Sequence, residues 1–310
     1  MLHLPLRIGT RGSPLALAQT EATISWLAAV CAELSAPGAI TVTAIRTTGD
    51  TVQDRTLAEI GGKGLFTREI DDAMLAGRID LAVHSVKDLP TWLPDGIVLA
   101  ALLPRGDPRD ALIAHRAASL ADLAPGAVIG TASLRRQAQL LHRRPDVTVV
   151  PLRGNVSTRL ARVGHDGLDA TLLAAAGLAR LGLADRATAL LEPEEMLPAV
   201  GQAAIGITCR TDDAALCELL SAASDPATAR EVAAERAMLA VLDGSCRTPI
   251  AGFARHDAAG TLELVGLLAR PDGSQVITGS KRGAGSEADA IGRALGEALK
   301  TRAGPGFLSW

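Results

Sequence analysis

Residues 128–174, VIGTASLRRQAQLLHRRPDVTVVPLRGNVSTRLARVGHDGLDATLLA, alternate between two periodicities. Val128 to Gly130, Val147 to Pro151 and Asp169 to Ala174 are apolar runs of strand length. Between them Leu134, Ala138 and Leu141 recur at helical spacing, and Val156 to Val163 forms a second helical pattern. The same alternation extends outward. Strands are expected at Leu6 to Gly9, Ile40 to Arg46, Ile79 to His84, Ile97 to Leu102 and Ala203 to Thr208, and helices at Pro14 to Leu34 and Phe66 to Ala76. Such a pattern predicts α/β layers. Pro104-Arg105-Gly106-Asp107-Pro108 and Ser224-Asp225-Pro226 mark boundaries. The last third changes character: a helix Ala227 to Leu242, strands at Pro249 to Arg255, Thr261 to Arg270 and Gln275 to Arg282, and a closing helix from Ser286 predict a small α+β domain.

The 310 residues are 48% hydrophobic and 21% charged, with net charge -3, which is ordinary globular composition. A slightly acidic chain argues against coating nucleic acid or an anionic membrane. No apolar stretch reaches the length of a membrane span, and the N-terminus lacks a signal-peptide pattern. The four cysteines, Cys31, Cys209, Cys217 and Cys246, have neither zinc nor disulfide spacing, so a reduced, cytoplasmic protein without a metal is expected. Tyrosine is absent and aromatics make up 2%, leaving few side chains to stack on bases.

Seven arginines (135, 136, 143, 144, 153, 159 and 162) face one acid, Asp146, between Thr131 and His165. A solvated helix face is the ordinary explanation of such a run. Here Gly130-Thr131-Ala132-Ser133 ends a strand and caps a helix, so Arg135 and Arg136 fall in the first turn, where they oppose the helix dipole. With backbone donors and the Thr131 and Ser133 hydroxyls they make an anion site. Their removal is expected to cost ligand binding without costing stability. Arg143 and Arg144, at the other end, are expected to serve the helix. Arg153-Gly154-Asn155 similarly leads from a strand into a helix carrying Arg159 and Arg162.

His84-Ser85-Val86-Lys87-Asp88 follows a strand, where α/β sheets collect ligand and catalytic groups. A lone Asp in such a loop is ordinarily a turn or cap residue; beside several arginines, Asp88 also suits balancing a cation that develops on substrate or holding a substrate NH. Gly61-Gly62-Lys63-Gly64-Leu65-Phe66 fails the phosphate-loop pattern, because Leu57 and Gly64 stand where glycine and Ser/Thr are required. Cys246 lies in the turn-rich Asp243-Gly244-Ser245-Cys246-Arg247-Thr248-Pro249, whereas Cys31 and Cys217 fit helix packing and Cys209 a strand end. Arg247 favours a thiolate at Cys246, but no histidine is placed as its base, so an inert loop thiol is the plainer expectation from composition alone.

Together RIGTRGSPLALAQ, IRTTGD, GGKGLFTREI, DLAVHSVKDLP, LPRGDPRDAL, IGTASLRRQAQL, LRGNVSTRL, LLAAAGLARLGL, LPAVGQAAIGI and DGSCRTPIAGF resemble the porphobilinogen deaminase (hydroxymethylbilane synthase) family, in its order and over nearly the whole chain. Glu59 and Val86 depart from it, standing where some relatives carry a basic residue and a methionine. The resemblance implies two periplasmic-binding-protein-like α/β lobes, residues 1–103 with 201–222 and residues 104–200, plus a C-terminal α+β domain, 223–310. It implies a monomeric transferase of tetrapyrrole (haem) biosynthesis, with no nucleic-acid or membrane partner. Four porphobilinogen molecules are condensed head to tail with loss of ammonia on a dipyrromethane cofactor held by Cys246 through a thioether, and hydroxymethylbilane is released by water.

Asp88 matches the family's catalytic aspartate, which steadies pyrrole NH groups and the azafulvenium-like cation. The resemblance further assigns Lys87, Asp88, Ser85, Thr131, Ser133, Arg135, Arg136, Arg153 and Gly154 to the cofactor. It assigns Arg11, Ser13, Lys63, Phe66, Arg153, Arg159, Arg180 and Gln202 to the substrate. Each pyrrole carries an acetate and a propionate, so an arginine-rich cleft in a non-basic chain fits that substrate. Two other classes share these arginines: a two-lobed anion sensor, which needs no modified cysteine, and an RNA-binding accessory protein, whose retention on nucleic acid would be salt-sensitive.

Overall fold

The computed structural model describes residues 2–51, 64–244 and 248–307. The chain first lays down β1 (Leu6–Arg11), α1 (Pro14–Val30), β2 (Ile40–Ile45), a helical turn Thr48–Thr51, α2 (Arg68–Leu75), β3 (Leu81–Ser85) and β4 (Ile97–Leu102). It crosses to β5 (Asp110–Ala114), β6 (Val128–Gly130), α3 (Leu134–Arg143), β7 (Thr148–Val150), α4 (Val156–Arg162), β8 (Ala170–Ala174), α5 (Ala175–Arg180) and β9 (Ala189–Leu191). It returns through β10 (Ile205–Arg210) and α6 (Ala214–Ala223), then ends in α7 (Pro226–Val241), β11 (Ile250–His256), β12 (Thr261–Ala269), β13 (Val276–Ala284) and α8 (Ala288–Ala303).

Two five-stranded sheets share one plan. In the first, β2-β1-β3 run parallel and β10 enters antiparallel between β3 and β4. In the second, β7-β6-β8 run parallel and β5 enters antiparallel between β8 and β9. Each lobe thus gains its antiparallel strand immediately after a crossover. Ile8, Leu81 and Ile207 anchor the first core, and Leu112, Ile129 and Ala170 the second, all fully buried. Each such Leu or Ile contributes about 1.5–3 kcal/mol of burial. A third core, with Met238, Leu264, Leu268 and Leu299, forms between the meander β11-β12-β13 and α7 with α8.

The α/β alternation is seen in both lobes, with corrections. The first helix ends at Val30, where Cys31 takes an extended conformation, and a short 3-10 turn Ala32–Ser35 follows. Strands β5 and β9 and helix α5 have no counterpart among the expected elements, and of α6 only the helical setting of Cys217 is expected. β5, DALIA, is buried along almost its whole length, so it shows no alternation to read. Helix starts are more legible because their caps are local: Ser13, Ser133, Asn155 and Asp225 each accept from a first-turn N–H.

One carboxylate joins the crossovers to the C-terminal unit. Glu235 of α7, fully buried, accepts from Gly201 N at 2.6 Å and Ala254 N at 2.8 Å, and from Arg105 Nη1 at 2.6 Å and Nη2 at 3.3 Å. Arg105 Nε also donates to Gln202 O at 3.0 Å. Gly201 is required here: its φ is 70°, and a Cβ would stand 2.5 Å from Val86 Cγ1. Glu235→Ala strands a buried guanidinium, which typically costs about 3–5 kcal/mol. Because Glu231 remains 3.4 Å from Arg105, the expected loss is about 3 kcal/mol. Urea unfolding measures it, and a loss below about 1 kcal/mol would contradict the clamp.

Candidate active site

The carboxyl ends of the parallel strands in both lobes open onto one cleft of about 970 Å³. Arg11 ends β1 and Gly12 and Ser13 follow it, Lys87 and Asp88 follow β3, Ala132 and Ser133 follow β6, and Arg153 and Gly154 lie beyond β7. This is where open α/β sheets place ligands. Phe66 and Arg159 also line the cleft.

Asp88 ends a 3-10 turn, Val86–Asp88, with a third of its side chain exposed, and Arg11 Nη1 stands 3.7 Å from its Oδ2. Arg11 is shared with Asp50 through its Nη2 and, at 3.3 Å, its Nε, and its guanidinium lies 4.3 Å from the Phe66 ring centroid. Burial would push the Asp50 carboxyl up, but bonds from Arg11 and Thr47 reverse that and hold it below its ordinary value. Ser13 caps α1 at the cleft wall. Ser85 pairs with Gln19 at 2.9 Å and borders a side cavity of about 50 Å³ that Asp88 also lines. The buried His84 bonds Thr208 at 2.9 Å and is pushed down to about 4 by burial, then by Arg11, so it is neutral near pH 7.

Across the cleft, Arg135 and Arg136 are 5% exposed and share one fully buried acid, Asp110. Arg135 Nη1 donates to Asp110 Oδ2 at 2.7 Å, and Arg136 Nη2 to Oδ1 at 2.7 Å. Burial opposes ionisation of Asp110, but the two guanidiniums outweigh it and hold its carboxyl far below the usual range. Gln202 Nε2 donates to the same Oδ1 at 2.9 Å and to Pro108 O at 2.7 Å, which turns its Oε1 toward Lys87 Nζ at 3.2 Å. Arg159 Nε donates to Gly154 O at 2.8 Å. Burial, with repulsion from Arg136, pushes Arg159 down to about 10.

Several residues expected at the ligand also hold the protein framework, Gln202 while lining the cleft. Thr131 is buried and accepts from Ser133 N at 3.1 Å, holding the helix start. Gln202, fully buried, uses its whole amide on protein partners. Arg180 Nη2 donates to Ala203 O at 2.5 Å, and this side chain is not part of the cleft wall. Lys63, Glu59 and Cys246 lie outside the described residues. Gly244 and Thr248, which bracket the cysteine segment in sequence, both line the cleft.

The helix-dipole expectation needs correction. Arg135 and Arg136 spend donors on buried Asp110, so their removal would strand a buried carboxylate and destabilise the fold. Arg144 donates to the Leu120, Ala121 and Leu123 carbonyls and to Asp146, pinning a neighbouring turn, and Arg143 reaches Glu194 O. Asp110 was legible as the acid closing Pro108-Arg109-Asp110 before an apolar run, but spacing alone could not pair it with arginines 25 residues away.

The donor set fits a dipyrromethane bearing several carboxylates. Arg135, Arg136, Lys87 and Arg159 converge on the cleft, while Asp110 supplies one opposing buried charge. Anionic groups of a ligand would compensate the excess.

Two family models match in chain order: "Porphobilinogen deaminase, dipyromethane cofactor binding domain" over residues 6–218, and "Porphobilinogen deaminase, C-terminal domain" over residues 229–301. The chain belongs to the porphobilinogen deaminase family. It is 53% identical over 305 residues to the chloroplastic porphobilinogen deaminase of Oryza sativa subsp. japonica, covering 97% of this chain and 85% of that protein. It is 52% identical over 306 residues to the porphobilinogen deaminase of Paracoccus denitrificans, covering 99% and 97%. The family's reaction, a transferase chemistry that builds hydroxymethylbilane on a dipyrromethane cofactor for tetrapyrrole biosynthesis, is this chain's function. That sets aside the anion-sensor and RNA-accessory alternatives.

Among solved structures, a periplasmic substrate-binding protein of an ABC transporter from Coxiella burnetii is 16% identical with a TM-score of 0.43, covering 72% of this chain and 94% of that one. The two-lobed description rests instead on the strand order above.

Lys87 gives the site a pH signature. Burial, with Arg136 adding repulsion, pushes its ammonium down from 10.5 to about 8. A lysine depressed in the folded state contributes stability that is full above pH 10.5 and lost as pH falls through about 8, because the unfolded chain binds that proton more tightly. In cofactor-free protein the stability difference between wild type and Lys87→Met should therefore shift in favour of wild type as pH rises through that window. Urea midpoints compared from pH 7 to 10 measure it; a flat difference would contradict the assignment.

Proposed function

We propose that the cleft is the working site of the deaminase reaction, with Cys246 as the point of thioether attachment and Asp88 as the electrostatic partner of the reacting carbon. The observation that carries this is the convergence of Arg135, Arg136, Lys87 and Arg159 on the cleft that Asp88, a third exposed, also lines. Ser133, Arg135, Arg136, Lys87, Arg153 and Gly154 would hold the cofactor's carboxylates. When bound, dipyrromethane supplies the terminal pyrrole carbon to which the first porphobilinogen is joined.

Arg11, Arg159, Ser13 and Phe66 would orient the incoming porphobilinogen. Its carbon–nitrogen bond breaks, ammonia leaves with the electron pair, and the cation left on the pyrrole methylene faces the Asp88 carboxylate. Arg11 Nη1, 3.7 Å from Asp88, and its ties to Asp50 fix that carboxylate against a charged neighbour. Ser85, Thr131, Arg180 and Gln202 support these groups from behind. Lys63 keeps the substrate role that the family resemblance gives it.

The proposal takes residues 1–103 with 201–222, 104–200 and 223–310 as the three domains, in keeping with the three sheets. It takes the protein as a cytoplasmic monomer without nucleic-acid or membrane partners. The net charge of -3 is in keeping with the lack of a nucleic-acid partner, and among the described residues no helix is long and apolar enough to cross a membrane.

Two measurements test the proposal. The purified protein should be heavier than its sequence by two linked pyrroles, and Cys246→Ala should lose that mass while Cys31→Ala and Cys217→Ala keep it. An unmodified mass in active wild-type protein would remove Cys246 from the account. Asp88→Asn should fold and carry the cofactor, yet release ammonia from porphobilinogen about a hundred- to a thousandfold more slowly, the usual cost of losing a preorganised electrostatic partner. A near wild-type rate would remove Asp88 from the chemistry.

A further inference from the structure

Asp110 orders the two arginines as well as balancing them. Arg135 Nη1 donates to Asp110 Oδ2 at 2.7 Å and to Leu197 O at 2.8 Å, which uses both of its hydrogens. Its Nε and Nη2 have no acceptor among the described residues. Arg136 places Nε at 3.2 Å and Nη2 at 2.7 Å from Asp110 Oδ1, and Nη1 at 2.7 Å from Leu172 O. One hydrogen remains on each of its Nη atoms. Both arginines line the cleft. A guanidinium is a rigid planar fork, so fixing one edge fixes the direction of the others.

Stability alone does not account for this arrangement. Two buried cations on one buried carboxylate leave a positive charge uncompensated, and apolar replacements of buried ion triads are often neutral or stabilising. The triad also sits at a link between lobes, since Gln202 Nε2 donates to Asp110 Oδ1 while its Oε1 accepts from Lys87.

We infer that Asp110 is a positioning residue for the reaction: it holds one edge of each guanidinium in the protein so that the remaining N–H groups of Arg135 and Arg136 are offered to ligand carboxylates. This rests on the reading of those arginines as ligand contacts. Asp110 itself touches neither substrate nor cofactor. It acts through the two forks, and a substitution there should change what the cleft binds even in molecules that fold.

The test uses cofactor-free full-length protein and a pyrrole bearing one acetate and one propionate but lacking the aminomethyl group, titrated by calorimetry. Asp110→Asn removes a negative charge without changing size. If Asp110 positions the arginines, affinity falls at least tenfold in the folded variant. Unchanged affinity with a lowered melting temperature would leave Asp110 a structural role only, and tighter binding would make it a mere charge sink; either overturns the inference. Arg136→Ala, in its folded fraction, separates the two layers. Wild-type affinity there would defeat the reading of the arginines, whereas weakened binding there with unchanged binding in Asp110→Asn would defeat only the positioning role.

A second measurement needs no variant to fold. In wild-type protein the guanidinium N–H groups of Arg135 and Arg136 should give separate, slowly rotating NMR signals. Freely rotating guanidiniums at both positions would overturn the inference.

Discussion

Two arginines and one aspartate, all buried at the mouth of a crossover, impose the constraint around which the site is arranged. Asp110 cannot neutralise both Arg135 and Arg136, and Lys87 and Arg159 add two more cations in surroundings that penalise charge. Nothing in a folding account favours that surplus. It becomes intelligible once the cleft is filled by carboxylates, which a chain of pyrroles supplies with every ring.

The fold turns this constraint into a site by repetition. Both lobes place the ends of three parallel strands on the cleft, and each takes an antiparallel strand, β10 or β5, directly from a crossover. The crossovers therefore carry both structure and function: Arg105 and Gly201 bind Glu235, while Asp110 and Gln202 order the cations. The C-terminal unit is fastened to both lobes. Thr91 Oγ1 donates to Gly244 O at 2.6 Å and Arg236 Nη2 to the Pro90 and Thr91 carbonyls at 3.0 Å, on the first lobe's side. Gln137 Nε2 donates to Pro271 O at 3.1 Å on the second lobe's side. Gly244, two residues before Cys246, thus lies against a loop that follows Asp88 in sequence.

The sequence is legible where the physics is local. Ser133 and Asn155 cap helices because a side-chain oxygen two or three residues away decides it, and the loops after β3, β6 and β7 follow from short apolar runs ending in polar residues. Two short strands are not legible: β5 is buried along almost its whole length and shows no alternation, and β9 has three residues, too few to show a period. The arginine island was visible, but its electrostatics were not. The helix dipole acts on Arg135 and Arg136 as if they were free cations, whereas a long-range carboxylate, Asp110, takes up part of each fork. Arg144 is structural as expected, but through Asp146 and carbonyls 21 to 24 residues away as well as its place at the helix end. Gln202 lines the cleft, and spacing does not show that its amide also ties Lys87 to Asp110 and Pro108.

The central claim, that the folded cleft holds a buried excess of positive charge left for ligand carboxylates to compensate, is tested most directly by comparing cofactor-free and cofactor-loaded protein in urea at low salt and in about 1 M sodium chloride. Buried pairs are screened far less than exposed ones. The account predicts a higher unfolding midpoint for the loaded protein at low salt, with most of the difference kept at high salt. Equal midpoints at low salt would contradict it.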